Sequence, residues 1–339
     1  MSANGLLSLI AVLAFISGFA MQKGNVCSVL AARQIVELGR ATRLYAFMFA
    51  AAWALAATVL VVWASVTGFK LAPSVPVTYV TVLAGIGYGA GCFINAACIF
   101  GICARSTSGG LHFLFALPGI ALGAALISQS GVLVPVPHSA LPVMAKPNFV
   151  SVTLYSIAVV LVGVSVLRIT RAYGRGGLKV KKLLTAGRWR SSLAMAVIGV
   201  VGGLLNATGE PVGYPVMIRH TGAYLLGLSA VFTAPMVVGS FAVFAGAMFA
   251  ALLGGRFALR WPQPLASVRC LIGGAVMGAA AALIPGGNDV MLLYAVPSLA
   301  LNGIVAYVVM FATLIGLGFA AKWLADRRCQ AQMKADAAS

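Results

Sequence analysis

The fold is decided by residues 85–105, which read GIGYGAGCFINAACIFGICAR. An apolar run with glycine at every second position from 85 to 91 changes here into a segment with three cysteines and an asparagine. Glycine removes side-chain bulk and lets a second backbone come close, as small residues do where membrane helices pack. Irregular backbone is tolerated at membrane depth only where protein or a water-filled cavity surrounds it. We therefore predict a membrane helix that breaks near Cys92 at the functional centre of the protein.

Composition indicates a polytopic membrane protein. Hydrophobic residues make up 61% of 339 residues, charged residues 8%, and the mean hydropathy is +1.03. A water-soluble domain with these values would expose a very large apolar surface. The net charge is +18, and the basic residues that produce it lie in short gaps between apolar runs. We therefore interpret them as a topology signal and exclude nucleic acid as a partner. The six cysteines have neither zinc-site spacing nor a disulfide framework, so no metal or cofactor is predicted.

Nine apolar runs approach the length needed to cross about 30 Å of hydrocarbon. They are residues 5–21, 42–65, 77–93, 110–128, 149–168, 191–206, 229–253, 268–284 and 303–324. Four of the gaps between them are half-polar and contain glycine or asparagine, namely 22–41, 94–109, 207–228 and 285–302. We predict an all-α fold with about nine transmembrane helices and short re-entrant helices in these four gaps.

Lysine and arginine placement predicts the orientation. If the N-terminus lies outside, 20 of the 23 basic residues fall on the cytoplasmic side, and Lys70, Lys146 and Arg219 fall outside. Such a bias is the positive-inside rule. We predict a multi-pass protein of the bacterial cytoplasmic (inner) membrane, with its N-terminus outside and its C-terminus in the cytoplasm.

The order of elements predicts an internal repeat. Helix, half-polar gap, two helices, half-polar gap and helix occur in 5–128 and again in 191–324, with one extra helix between them. The extra helix makes the second copy enter the membrane from the opposite face, which is the pattern of an inverted-topology, pseudo-two-fold repeat. The predicted units are a first repeat 1–128, a connecting helix and basic loop 129–190, an inverted repeat 191–325 and a cytoplasmic tail 326–339.

Two cysteines in the first half are candidates for contact with a ligand. Cys27 lies in a polar segment close to cationic residues, which favours an ionised or hydrogen-bonding thiol. Cys92 ends the glycine run, and Asn95 after it offers both a donor and an acceptor. Cys98 and Cys103 do not share one helical face with Cys92, so we favour a packing role for both.

In the second half, acidic and amide side chains accompany helix breakers. Ionisable groups in membrane segments are costly and suggest function, which makes Glu210 a candidate for ion coupling. Asn288 and Asp289 follow the run 268–284, where such side chains also cap half-helices, and both interpretations stay open. Half-helix N-termini attract anions and thiols are weak donors to a soft ligand. Together these features suggest a sulfur-containing anion.

Three segments carry a resemblance to a known family. They are GNVCSVLAAR at 24–33, GIGYGAGCFINAACIFG at 85–101 and RCLIGGAVMGAAAALIPGGNDVMLLYAVPSL at 269–299. At these residues the chain resembles the YeeE/YedE family of sulfur transport membrane proteins, whose characterised members take up thiosulfate. The resemblance implies an hourglass of nine membrane helices, with short helices at the waist and cysteines that relay the anion. Cys27 and Cys92 match two of these cysteines.

The resemblance also exposes a departure. A third cysteine is expected after the second-half glycine pair, where this chain has Gly286-Gly287-Asn288-Asp289. Thiosulfate is therefore the first choice of substrate, and other sulfur or selenium oxyanions stay open. The candidate substrate-binding and relay residues are Cys27, Cys92, Asn25, Asn95, Gly91, Gly286, Gly287, Asn288 and Asp289, with Glu210 as the candidate coupling residue.

The resulting hypothesis is a permease, and not an enzyme, that takes up thiosulfate or a related anion across the lipid bilayer. One alternative is a membrane thiol enzyme that passes sulfane sulfur or electrons through Cys27, Cys92 and Cys98. A second alternative is a subunit that delivers sulfur to a cytosolic sulfurtransferase or small sulfur-carrier protein.

Overall fold

The computed structural model describes residues 3–66, 68–131, 143–174, 180–210, 212–284 and 286–336. Within these ranges the regular structure is helical, apart from one isolated parallel bridge between Gly110 and Arg260. The predicted all-α class is confirmed.

The α-helices are numbered in chain order. They are α1 (Ala3–Gly24), α2 (Ser28–Leu38), α3 (Thr42–Trp63), α4 (Tyr79–Asn95), α5 (Ile99–Ser106), α6 (Ala116–Gln129), α7 (Phe149–Tyr173), α8 (Val180–Thr185), α9 (Ser191–Ala207), α10 (Tyr214–Leu225), α11 (Ala234–Leu253), α12 (Pro264–Leu283), α13 (Asn288–Val290) and α14 (Leu301–Asp336). Short 3₁₀ turns occupy Leu111–Phe115 and Val143–Ala145, and a π-helical turn at Met291–Ala295 continues α13.

Eight helical segments of the described chain are long and apolar enough to cross a membrane. They are Asn4–Leu38, Thr42–Trp63, Tyr79–Ser106, Leu111–Gln129, Phe149–Tyr173, Ala234–Leu253, Pro264–Leu283 and Leu301–Met333. The predicted run 191–206 corresponds to α9, a shorter apolar helix of 17 residues. A polytopic membrane protein is therefore confirmed, and each of the nine predicted apolar runs coincides with a helix.

Side chains cap the N-terminal ends of two membrane helices. At the start of α4, the Thr81 hydroxyl accepts a hydrogen bond of 3.2 Å from the Thr78 N–H. At the start of α7, Asn148 and Ser151 form a reciprocal capping box, with hydrogen bonds of 2.8 Å in both directions. These side chains accept hydrogen bonds from backbone N–H groups that have no partner within the helix.

Small residues set the distances between the central helices. A Cβ on Gly18 of α1 would overlap the carbonyl of Val243 on α11. A Cβ on Gly91 of α4 would lie 2.7 Å from the Met277 side chain and 2.8 Å from the Gly273 carbonyl, both on α12. Gly91, a predicted site residue, is thus a position of close helix packing.

The last helix extends beyond the predicted membrane span. α14 continues to Asp336, so the part of the predicted tail 326–339 that the structure describes is helical and largely exposed. Lys322 of this helix donates a hydrogen bond of 3.3 Å to the carbonyl of Val36 in α2. The end of α14 and the C-terminal end of α2 therefore lie on the same side of the molecule.

Candidate functional site

The first chain break separates α1 from α2. Asn25 takes a left-handed conformation with φ of 46°, which ends α1, and the extended residue Cys27 is the N-cap of α2. The Arg43 guanidinium donates to the carbonyl of Asn25 at 3.2 Å. The predicted site residue Asn25 therefore acts through its backbone, as the turn that places Cys27 at a helix N-terminus.

The second break, between α4 and α5, repeats this arrangement. Ala96 is left-handed with φ of 56°, and the extended residue Cys98 is the N-cap of α5. Arg105 donates to the carbonyl of Ala96 at 2.8 Å and stacks on the ring of Phe113. Both breaks therefore share one arrangement. A left-handed residue accepts a hydrogen bond from an arginine at its carbonyl, and a cysteine lies two residues further along the chain. Each of these thiols therefore lies at the positive end of a short helix.

The two N-cap cysteines contact each other. The Cys98 thiol donates to the Cys27 sulfur across 3.8 Å, and the Ser28 N–H donates to the Cys98 sulfur at 3.2 Å. Both thiols are almost completely buried. Gly101 of α5 lies against Cys27, because a Cβ there would be 2.7 Å from the Cys27 sulfur. Cys98, predicted to pack, thus lies directly beside Cys27.

The break after α12 brings the second half of the chain to the same place. Gly286 has φ of 136° and Gly287 is the N-cap of α13. The amide of the fully buried Asn288 donates to the Ser28 hydroxyl at 3.1 Å, and its oxygen accepts a hydrogen bond from the Tyr88 hydroxyl at 3.2 Å. Asn288 therefore joins α13 to α2 and α4. We call the cluster of Cys27, Ser28, Tyr88, Cys98 and Asn288 the waist.

A fourth break, between α9 and α10, supports the waist from the side. Gly209 and Gly213 have φ of 70° and 112°, and Gly213 is the N-cap of α10. The Tyr214 hydroxyl donates to the carbonyl of Ile99, the first residue of α5. All four half-polar gaps thus contain a break and a short helix, as predicted, although 211 and 285 lie outside the described residues.

The remaining predicted residues surround the waist. Cys92 is fully buried and follows Tyr88 by four residues, so it lies on the same face of α4 as the tyrosine that is hydrogen-bonded to Asn288. Asn95 ends α4, and its amide donates to the Ala97 carbonyl at 2.9 Å, which stabilises the break. The Asp289 Oδ1 atom is buried and has no hydrogen-bond partner among the described residues.

Two larger cavities lie at opposite ends of α9. The Glu210 pocket, of about 380 Å³, is lined by Asn206 at the C-terminal end of α9 together with Glu210, Arg219 and other residues. The Arg43 pocket, of about 530 Å³, includes Ser192 at the N-terminal end. The helical rise between Ser192 and Asn206 is about 21 Å, so the pockets are separated by much of a bilayer core.

The waist lies between these pockets. Asn25 lines the Arg43 pocket and precedes Cys27 by two residues. Val290 lines the Glu210 pocket and follows Asn288 by two residues. A small void of about 30 Å³ is lined by Tyr88 and Gly287 and shares Val290 and Arg219 with the Glu210 pocket. The predicted residue Glu210 therefore lies in a pocket at one side of the waist.

A protein-family model described as sulphur transport matches residues 23–316, a range that contains all four breaks. The chain belongs to this sulphur transport family, the YeeE/YedE family. A comparison with curated proteins gave no significant match. The family and the apolar helices together support a multi-pass membrane protein that transports sulfur in some chemical form.

In this sulphur transport protein, sequence reasoning did not find Ser28, Tyr88 or the role of Cys98. A local signal exists for Cys98, because Asn25-Val26-Cys27 and Ala96-Ala97-Cys98 occupy equivalent places in two half-polar gaps. Tyr88 carries no such signal, since its partner Asn288 is 200 residues away in the chain.

Proposed function

We propose that this sulphur transport protein is a permease for thiosulfate or a related sulfur-containing anion. The observation that carries the proposal is the waist, where the N-termini of α2 and α5 meet with a buried thiol on each. Helix N-termini favour negative charge, and thiols are weak donors that suit a polarizable sulfur atom. The site therefore binds a soft anion through groups that are individually weak enough to release it.

The pockets on either side of the waist supply the rest of the path. An anion that enters the Glu210 pocket meets Arg219, which also lines the small void next to Tyr88 and Gly287. It then passes Cys92, Cys98 and Cys27, and it leaves through the Arg43 pocket. The waist is closed in this structure, since Cys27, Cys98 and Asn288 are each buried. Alternating access therefore requires the contacts across the waist to open.

We further propose that 1–128 and 191–325 are inverted repeats, joined by 129–190 and followed by the tail 326–339. The packing of helices supports this assignment. In this assignment α1, α3, α4 and α6 of the first repeat correspond, in that order, to α9, α11, α12 and α14 of the second. Exchange of the two repeats then turns the contact of α1 with α11 into a contact of α9 with α3. It likewise turns the contact of α4 with α14 into a contact of α12 with α6. All four pairs are in contact. The short helices agree with this assignment. If α2 corresponds to α10, the contact of α2 with α14 becomes the contact of α10 with α6, and both pairs pack together.

The positive-inside count supports an orientation in which the N-terminus is outside the cytoplasmic (inner) membrane of a bacterium. In that orientation the Glu210 pocket opens to the exterior and the Arg43 pocket opens to the cytoplasm. The proposed direction of transport is uptake, and Glu210 is the proposed residue for any coupling to a proton or sodium gradient.

Uptake into proteoliposomes tests the proposal. Purified protein should accumulate radiolabelled thiosulfate, with sulfate, sulfite and selenite added separately as competitors. Cys27→Ala and Cys92→Ala should reduce uptake by about tenfold or more, since each removes a group beside the path. Cys329→Ala is the matched control, because Cys329 is exposed on the terminal part of α14. A protein that is folded but takes up none of these anions would remove the proposal.

The contact between Cys27 and Cys98 also favours a second candidate, transfer of sulfane sulfur through thiols to a cytosolic sulfurtransferase or small sulfur carrier. In that case a cysteine thiolate attacks the sulfane sulfur of thiosulfate, the S–S bond of thiosulfate breaks, sulfite leaves, and a persulfide remains on the cysteine. Mass spectrometry of the protein after active uptake distinguishes the two functions. Unmodified thiols support transport of the intact anion, and a persulfide on Cys27 or Cys98 supports sulfur transfer.

A further inference from the structure

The Arg43 pocket has an unusual charge environment for a cavity at a membrane helix. Four arginines line it, namely Arg43, Arg168, Arg188 and Arg190, and none of the described acidic residues does. Gln34, Thr42 and Ser191 add neutral polar groups to the same wall. Like charges around a shared cavity repel one another unless an anion lies between them.

A helix terminus adds to this positive field. Ser191 and Ser192, the first residues of α9, line the pocket. The N-cap of α9 is Arg190, whose side chain makes no capping hydrogen bond. The first N–H groups of a helix need acceptors, and the positive end of its dipole favours an anion.

Contacts within the protein fix parts of the pocket wall. The segment that carries Arg188 is fixed to the buried Lys23, which donates to the Ala186 carbonyl at 2.9 Å, while the Trp189 N–H donates to the Lys23 carbonyl at 2.9 Å. Arg168, which also lines the pocket, stacks on the ring of Phe49. The backbone that carries Arg188 and the side chain of Arg168 are therefore positioned before any ligand arrives, which reduces the entropy lost on binding.

Charge crowding extends beyond the pocket. Arg256 follows α11 outside the membrane helices, and burial together with the neighbouring Arg188 lowers the pKa of Arg256 from its usual value. Guanidinium groups bind tetrahedral oxyanions through paired, charge-assisted hydrogen bonds. A cavity of about 530 Å³ is large enough for such an anion with its hydration water, or for the phosphate end of a lipid.

We propose that the Arg43 pocket is a second anion site, separate from the waist, that binds a multiply charged oxyanion such as thiosulfate or a phosphate group. Arg43 connects the two sites, because it also holds the Asn25 carbonyl in the turn that carries Cys27. The anion comes either from solution or from the headgroup of an anionic lipid. The proposal rests on the proposed function only for the choice of thiosulfate as a probe.

Trp189 lines the pocket and provides the signal for a binding experiment. The wild-type protein in nanodiscs of neutral phosphatidylcholine is titrated with thiosulfate and, separately, with inorganic phosphate while tryptophan fluorescence is recorded. Trp189→Phe identifies the part of the signal that comes from the pocket. A saturable change is expected, and the double variant Arg168→Gln/Arg188→Gln should weaken it by about tenfold or more, because each substitution removes charge-assisted hydrogen bonds.

Arg171→Gln is the matched control, since Arg171 is exposed on the same helix as Arg168 and does not line the pocket. Nanodiscs with phosphatidylglycerol separate the two sources of the anion. Native mass spectrometry that finds this lipid retained by the wild type, and lost from the double variant, supports a headgroup site. Saturable binding of the free anions in neutral lipid supports a soluble ligand.

Two results would overturn the proposal. One is the absence of both saturable anion binding and lipid retention. The other is an equal loss in Arg171→Gln and the double variant, which would indicate a general effect of surface charge. Uptake of thiosulfate by the wild type is measured in parallel. A transporter that is active but shows neither form of binding refutes the second site and leaves the proposed function intact.

Discussion

Substitution of Gly101 by alanine tests whether the position of Cys27 controls transport. The new Cβ would lie 2.7 Å from the Cys27 sulfur and 3.2 Å from the Cys27 Cβ. Since favourable contacts lie at about 3.5–4.0 Å, the sulfur must move by roughly 1 Å. Rotation of the thiol alone does not relieve the second contact. The turn at Asn25 must therefore shift, and the Cys27 N-cap shifts with it.

Gly101→Ala should destabilise the protein moderately without preventing folding. Overpacking of this kind costs about 1–3 kcal/mol, and alanine recovers roughly 0.5–1 kcal/mol because glycine is unfavourable within a helix. The variant should therefore fold, with a moderately lower melting temperature. Transport should suffer more, because a displacement of about 1 Å at a site can reduce a rate by roughly a hundredfold. We expect initial uptake to fall by tenfold to about a hundredfold.

The assay is the initial rate of thiosulfate uptake in proteoliposomes, with the melting temperature of the purified protein measured alongside. Gly316→Ala is the matched control, since Gly316 lies in α14 and a Cβ there meets no atom within 4 Å. This variant should keep the wild-type uptake rate. If Gly101→Ala is folded and transports at the wild-type rate, then the placement of the Cys27 thiol does not matter, and the proposed role of the waist is refuted.

Three further substitutions test other parts of the site. Cys98→Ala should reduce thiosulfate uptake about tenfold or more, whereas Cys103→Ala, at a buried position of α5, should retain most of it; equal losses in uptake would contradict a specific role for Cys98. Tyr88→Phe removes two hydrogen bonds to Asn288, each worth about 1 kcal/mol, and should lower the melting temperature by several degrees; an unchanged melting temperature would argue against this contact. Arg219→Gln should raise the KM for thiosulfate several-fold with a smaller effect on the maximal rate; an unchanged KM would remove Arg219 from the path.

The membrane helices could be predicted because their signal is local. An apolar run of sufficient length must lie in the hydrocarbon core, and its backbone must then be helical. The run 191–206 coincided with α9 even though that helix has 17 residues. The half-polar gaps were predicted to contain short helices on similar grounds, because their glycine and asparagine residues interrupt helices without adding the charge of a solvated loop.

The position of Cys98 was harder to predict, for a geometric reason. A packing role for Cys98 was inferred from spacing, because cysteines at 92, 98 and 103 do not share one helical face. The left-handed conformation of Ala96 ends α4 and restarts the helical phase at Cys98. Alanine rarely adopts positive φ, so the predicted break near Cys92 could not be assigned to Ala96 from the residue type. The Arg105 hydrogen bond that holds the turn is likewise visible only in the structure.

Asn288 occupies the position where the resemblance to the family suggests a third cysteine. A cysteine after Gly287 would present a weak donor to a passing anion, but the Asn288 side chain is already bonded to Tyr88 and to Ser28, the neighbour of Cys27. We infer that this position closes the waist by joining the second half of the chain to the turn that carries Cys27. In the proposed function, an opening that exposes Cys27 to the Glu210 pocket would break the hydrogen bond between Asn288 and Ser28. The proposed role of the Asn288 amide is therefore to control when the anion reaches the Cys27 thiol.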